Sequence, residues 1–206
     1  MAATRRVGDE GSATRTALLD AAQQLMCDKG YAAVTSRQLA AVAGLKPQLV
    51  HYYFRTMDDL FLALFHRVAE DLADRQMAVL DADDPLEALW EMSRTATSSA
   101  LSIEFVAMAN HRKVLKAAIA DFGEAYRKRQ SVLLSGMLKA RGIDTAQWPA
   151  PAVAFIIESL TRCMGFEEAL GMSGGHAQTL AIVRDLIAGP ARAARRRSKA
   201  SAPIDA

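Results

Sequence analysis

The chain has 206 residues, 51% of them hydrophobic, with 25 Lys and Arg against 23 Asp and Glu for a net charge of +2. That apolar share suffices for a sizeable core in one or two domains. No apolar run approaches the length of a membrane span and no secretory signal opens the sequence, so a cytoplasmic protein without a membrane partner is expected.

Residues 1–13 read as a flexible basic arm. Leu18, Ala21, Ala22 and Leu25 then recur at i, i+3, i+4 and i+7, the stripe of a helix with one buried face. Lys29-Gly30 ends it with a cation and a C-terminal glycine. Thr35 with Gln38 three residues on is a capping-box pattern, and Leu39, Ala40 and Ala43 share one face of the helix it opens. Gly44 supplies a residue that tolerates a left-handed turn, Leu45 plugs that turn into the core, and Pro47 suits the first position of a second short helix. Val50 and Phe54, four apart, face inward, which leaves Lys46, Gln48, His51 and Tyr52 outside. Two short helices about a tight turn, the second apolar beneath and polar or aromatic above, have the layout of a helix-turn-helix, whose second helix enters the DNA major groove.

Thr56 before Asp58 and Asp59 caps a long helix to about Leu80, striped by Leu60, Leu64, Val68 and Leu72. Asp84-Pro85-Leu86-Glu87 starts the next, which carries Leu89, Trp90 and Met92. A break is expected near Ser98-Ser99, then a short helix through Phe105 and Met108. Another long helix runs from about Arg112 to Arg141 and closes at Gly142. Pro149 and Pro151 introduce a helix ending near Leu170-Gly171. After Ser173-Gly174-Gly175, read as a helix connection, the last helix runs to Ala188 and stops at Gly189-Pro190. Residues 190–206 read as a basic disordered tail. Ala, Leu, Arg, Glu and Met dominate and no β-branched alternation is sustained, so the fold class is all-α.

Two of these helices are apolar in more than one direction. Val153, Ile156, Ile157 and Leu160 form one set, and Leu180, Val183, Leu186 and Ile187 the other. Such helices fill a large core or pair with a copy of themselves.

The net charge hides an uneven distribution: residues 1–56 carry +3, residues 57–189 carry −5, and the tail from Pro190 carries +4. Basic ends on an acidic body suit a protein whose N-terminal face meets phosphate. An enzyme finds no support. There is no phosphate-cradling glycine loop, nucleophile elbow or HExxH, and His51, His66, His111 and His176 are scattered, so no catalytic residue, metal site or cofactor is assigned. Cys27 and Cys163 are expected to be reduced thiols filling core space.

The run from Leu18 to Leu60, with ALLDAAQQLMCDKGYAAVT, the LA..AGL turn, YYF and DDL, resembles the DNA-binding domain of the TetR family of one-component transcriptional repressors. The resemblance implies a three-helix DNA-binding domain over residues 14–56 and a helical effector-binding and dimerisation domain over 57–189. It places Thr35 and Ser36 on phosphate, Arg37 at a base edge, and Pro47, Gln48 and Leu49 at the groove-facing start of the recognition helix, where Gln48 has the geometry to read adenine. Tyr52 and Tyr53 match an aromatic pair that braces the DNA backbone. Lys46 joins this surface. His51 stands where the family usually has tyrosine and still donates to phosphate; Met57 replaces a usual lysine, and Arg55 is close enough in sequence to substitute.

The resemblance further implies a homodimer joined by a four-helix bundle from the two apolar sets, reading a palindromic operator in double-stranded DNA with heads ~34–36 Å apart. It implies a cavity for a small, mostly apolar effector, for which Trp90, Phe105, Met108, Phe122, Tyr126, Trp148, Met164 and Phe166 are candidate walls. Glu104, Asn110, His111, Arg112 and Arg162 are candidate anchors, though His111-Arg112-Lys113 reads better as a solvated helix start. The function so implied is a repressor that its effector releases. The alternative is an architectural DNA-binding protein without an effector, to which the ARAARRRSKASAP run lends some support.

Overall fold

The computed structural model describes the backbone of residues 11–97 and 100–200 and side chains up to residue 189, residue 97 excepted. Most of the basic arm, the Ser98-Ser99 break and the end of the tail therefore lie outside the described residues. Those described are helical, with no strand among them: α1 (Ala13–Lys29), α2 (Ser36–Ala43), α3 (Pro47–Tyr53), α4 (Met57–Ala78), α5 (Pro85–Thr97), α6 (Ala100–Ala109), α7 (Lys113–Ala140), α8 (Ala150–Ala169) and α9 (His176–Ala200).

The chain forms two compact units, residues 1–74 with 99–126, and residues 75–98 with 127–206. The division falls inside α4 and α7. The reason is apolar: Leu101, Phe105 and Met108 of α6 and Leu115 of α7 are buried in the same core as the N-terminal helices.

In the first unit, Leu18, Ala21, Ala22 and Leu25 of α1 are buried as their spacing predicts, together with Leu39 and Ala40 of α2, Val50 of α3, Phe54, and Leu60, Phe61, Leu64 and Phe65 of α4. Phe65 meets Phe105 and Phe122 edge-on, with centroids 5.4 and 5.9 Å apart. Such pairs add to the burial of their area. Polar ties fix the rest. Arg67 of α4 reaches Asp20 at 2.6 Å and Gln23 at 2.9 Å on α1. Arg112, just before α7, pairs with Asp58 and lies over the Phe61 ring at 4.9 Å. Glu104 of α6 accepts the backbone N–H of Tyr31 at 2.6 Å, at the turn that follows α1.

In the second unit, α5 packs against α8. Leu86, Leu89, Trp90, Leu134, Leu138, Ala154, Ile157 and Met164 are among its buried apolar residues. Asp84 Oδ1 caps α5 by accepting from the N–H of Glu87 at 3.2 Å. Arg141 pairs with Asp84 and donates to the carbonyl of Ile187. His176, the buried first residue of α9, shares a hydrogen bond with Glu167 near the end of α8, Nε2 to Oε2 at 2.7 Å.

Two expectations need correction. Cys27 and Cys163 are exposed. On α1 the buried face runs through Leu18, Ala22 and Leu25, and Cys27, two residues past Leu25, points away from it; on α8, Cys163 lies between the inward Thr161 and Met164. The tail does not begin irregularly: the helix from His176 breaks at Gly189 (φ 73, ψ 168), as the glycine-proline pair predicts, but the backbone then continues helically to Ala200, because Pro190 suits the first turn of a new helix as readily as it stops an old one.

Candidate nucleic-acid interface

Thr35 has extended backbone and its Oγ1 accepts the N–H of Gln38 at 3.2 Å, the cap that starts α2. Accepting leaves its O–H hydrogen to donate elsewhere. Ser36 and Arg37 occupy the first turn of α2, where backbone N–H groups have no helical partner and the helix dipole favours an anion. Gly44 adopts the left-handed conformation, φ 66 and ψ 29, and lets Leu45 N–H bond back to the Ala40 carbonyl at 2.8 Å. That turn aims α3, which begins at Pro47.

Helix α3 is held from beneath and behind. Val50 and Phe54 are buried, Leu45 and Tyr53 pack on the core, and the Tyr53 hydroxyl lies 2.9 Å from Ser12 Oγ. Arg15 of α1 covers the Phe54 ring at 5.4 Å. Tyr52 stands edge-on to Tyr53, centroids 5.0 Å apart. Lys46, Pro47, Gln48, His51 and Tyr52 are exposed and Leu49 is half-buried. Thr35, Arg37 and Arg55 are exposed as well. Apart from Tyr53, which packs on the core, the structure therefore brings the sequence-assigned residues onto the outward side of α2, its turn, α3 and the segment leading to α4.

Thr56 and Asp59 cap α4 reciprocally: Thr56 Oγ1 accepts from the N–H of Asp59 at 3.1 Å, and Asp59 Oδ2 from the N–H of Thr56 at 3.0 Å. Behind Arg55, a groove of about 680 Å³ is lined by residues of α1 and α4, with Arg15, Asp59, Arg67 and Glu70 mixing both charges.

The effector candidates are distributed over both units. Phe105, Met108, Phe122 and Tyr126 belong to the first unit, and Trp90 and Met164 to the second. Phe105 and Met108 are core, and Phe122 packs beside Tyr126 at 5.7 Å. Phe166 and Trp148 are half exposed, because neither lies on its segment's buried face. The anchors are also engaged or outward: Glu104 holds Tyr31, Arg112 holds Asp58, and Asn110, His111 and Arg162 are exposed.

What sequence reasoning missed is a set of buried polar side chains in the second unit: Gln76, Ser93, Gln130, Glu158 and Thr161. Their signal was in the stripes. Gln130 interrupts Tyr126, Leu134 and Leu138 on α7, and Glu158 follows Ala154 on α8 by four residues, so each falls where an apolar residue is due.

Comparison with known proteins agrees with this geometry. Residues 18–64 match the family model for bacterial regulatory proteins of the tetR family. The chain is 28% identical over 159 residues to the HTH-type transcriptional regulator BetI of Rhizobium meliloti (strain 1021), covering 71% of this chain and 75% of that protein. It is 36% identical over 74 residues to BetI of Brucella abortus (strain 2308), a match that spans 37% of the Brucella protein. Among solved structures, a TetR transcriptional regulator from Legionella pneumophila aligns with a TM-score of 0.64 at 20% identity, over 87% of this chain and 97% of that one. A transcriptional regulator from Saccharomonospora viridis in complex with choline aligns with a TM-score of 0.67 at 19% identity, over 78% and 87%. The last two establish the shared fold, and the family match and the relatives address the DNA-binding end. Residues 18–64 are thus a helix-turn-helix domain of the kind found in bacterial regulatory proteins of the tetR family, within a chain similar to DNA-binding regulators of bacterial transcription.

Proposed function

We propose that the chain is a homodimeric repressor that reads a palindromic operator and leaves it when a small effector binds the second unit. The carrying observation is α3: apolar residues pin its underside while Gln48, His51 and Tyr52 point out. In this reading Thr35 and Ser36 hold phosphate, Arg37 and Gln48 address base edges, Pro47 and Leu49 sit against the groove, and Lys46, His51, Tyr52, Tyr53 and Arg55 grip the flanking backbone.

One recognition helix of seven residues reads too few base pairs for an operator, which is the functional reason for a dimer. Ile156 and Leu186, from the two apolar sets, are more than half exposed, as are their neighbours Phe155, Phe166 and Ile182. A second copy of the same face would cover them. Val153, Ile157, Leu160, Leu180, Val183 and Ile187 are half-buried or buried and back that face. Release follows linkage: an effector that prefers a head spacing unsuited to DNA lowers operator affinity by its differential affinity for the two states. Because one neighbour of this fold holds choline, choline is a natural first compound to assay.

The test is selection of bound sequences from a random duplex pool at physiological salt, with sedimentation of the free protein alongside. A palindrome and a dimer that Leu186→Glu dissociates are expected. Salt-sensitive binding that recovers no motif would instead make this an architectural protein.

A further inference from the structure

Among the described residues, the buried side-chain nitrogens and oxygens that find no partner within the protein all belong to the second unit. They are the indole N–H of Trp90, Nη2 of Arg129, both ends of the Gln130 amide, and Oε1 of Glu158. Folded proteins leave few such atoms, and their confinement to one unit calls for a reason. Gln130 is 0% exposed. One turn before it on α7, Arg127 gives both Nε (3.1 Å) and Nη2 (2.8 Å) to the same oxygen of Glu158, Oε2, so the other oxygen remains. Arg129 gives Nε to Oε1 of Gln76 at 3.4 Å and keeps Nη2. Trp90 lies on α5, which packs against the α8 that carries Glu158.

The atoms that remain have a definite chemistry. Three are donors, one of them cationic; two are acceptors, one on a carboxylate. A purely apolar ligand satisfies none of them. A cation alone leaves the donors, and an anion alone leaves the acceptors. We infer that these groups are the effector site and that its ligand is a small zwitterion. Its carboxylate takes the N–H groups of Trp90, Arg129 and Gln130, and its cationic end lies against Oε1 of Glu158 and the amide oxygen of Gln130. The role as effector site rests on the repressor reading above; the chemistry of the site does not. It replaces the expectation of a mostly apolar effector.

The test uses the full chain and five probes followed by calorimetry and thermal melting. They are 4-aminobutyrate and glycine betaine (zwitterions with and without N–H donors), choline and butyrate (one half each), and octanoate. A zwitterion is expected to bind about tenfold tighter than either half, a difference of ~1.4 kcal/mol. Gln130→Met should abolish that response yet raise the melting temperature of the ligand-free protein, because it removes an unpartnered amide from the interior at nearly constant volume. Failure of both zwitterions to bind, tighter binding of octanoate, or unchanged binding by Gln130→Met would overturn the inference. Release from the selected operator is then followed by fluorescence anisotropy. Binding that leaves DNA bound upholds the site and refutes its role as effector site; release by octanoate without any response to zwitterions refutes the site and leaves the repressor reading standing.

Discussion

Removing the carboxylate of Glu104 is the most direct probe of how α6 is tied to the DNA-binding helices. Its Oε2 accepts the Tyr31 N–H at 2.6 Å from across 73 residues of chain. Hydrogen bonds to charged groups contribute about 1.5–3 kcal/mol net, and a half-buried one belongs at the lower end. Glu104→Ala should therefore cost roughly 1.5–2 kcal/mol, and Glu104→Gln, which keeps a neutral acceptor, about half that. At ~1.4 kcal/mol per decade, the Tyr31 amide should exchange its hydrogen at least ~10-fold faster in the alanine variant, with a lower urea midpoint. The neighbouring glycine gives an internal control. A Cβ on Gly30 would stand 3.4 Å from Glu104 Oε2, at φ 80 and ψ 162, a region that essentially only glycine occupies. Gly30→Ala should destabilise the protein alone, and by less once Glu104 is already alanine, since the two share one contact. An unchanged Tyr31 exchange rate in Glu104→Ala, or strict additivity in the double variant, would refute the reasoning.

Arg37→Ala and Gln48→Ala should each weaken specific operator binding by about 1–3 kcal/mol while leaving thermal unfolding intact, measured by anisotropy and melting; two variants that bind like the parent would sink both assignments. Burial pushes the Asp84 carboxyl up, but the Glu87 N–H and the Arg141 guanidinium outweigh it and hold the carboxyl below the usual value. A depressed carboxylate stabilises the fold above its unfolded pKa of ~3.9 and loses that contribution as pH falls through the lower folded value. Stability should thus be flat from neutral pH to about 5 and fall below about 4, and Asp84→Asn should flatten the acid limb. Burial, then the Asp28 and Glu104 charges, raise the Cys27 thiol; at pH 8 it should alkylate more slowly than an unstructured thiol peptide despite its exposure, as peptide mapping would report.

Punctuation was the most readable part of the sequence. Thr35, Thr56 and Asp84 each cap the helix they precede, and Gly30, Gly44 and Gly142 take positive φ, because caps and turns are decided by residues two to four apart. The outward set on α3 was readable for the same reason: Val50 and Phe54 settle which side is down. What escaped was long-range. Phe105, a candidate pocket wall, is core, and nothing local distinguishes a core phenylalanine from a lining one. Glu104, a candidate ligand anchor, and Arg112, read in preference as part of a solvated helix start, are taken by Tyr31 and Asp58, partners 73 and 54 positions away. Gln130 and Glu158 are ordinary helix formers by residue type; their place in otherwise apolar stripes was the available warning.

Helix α4 starts only three residues after α3 ends, fixed there by two crossed bonds between Thr56 and Asp59, and its 22 residues belong to both units. At 1.5 Å per residue it is a rod of about 33 Å. Pivoted at its far end by about 6°, such a rod carries its near end through about 3.4 Å, one base-pair step along a DNA strand. Because the cap leaves little slack at the joint, α3 would travel nearly the whole distance. A side chain aligned with one base would then face the next, and in the proposed dimer such a tilt would put the two heads out of phase with their site.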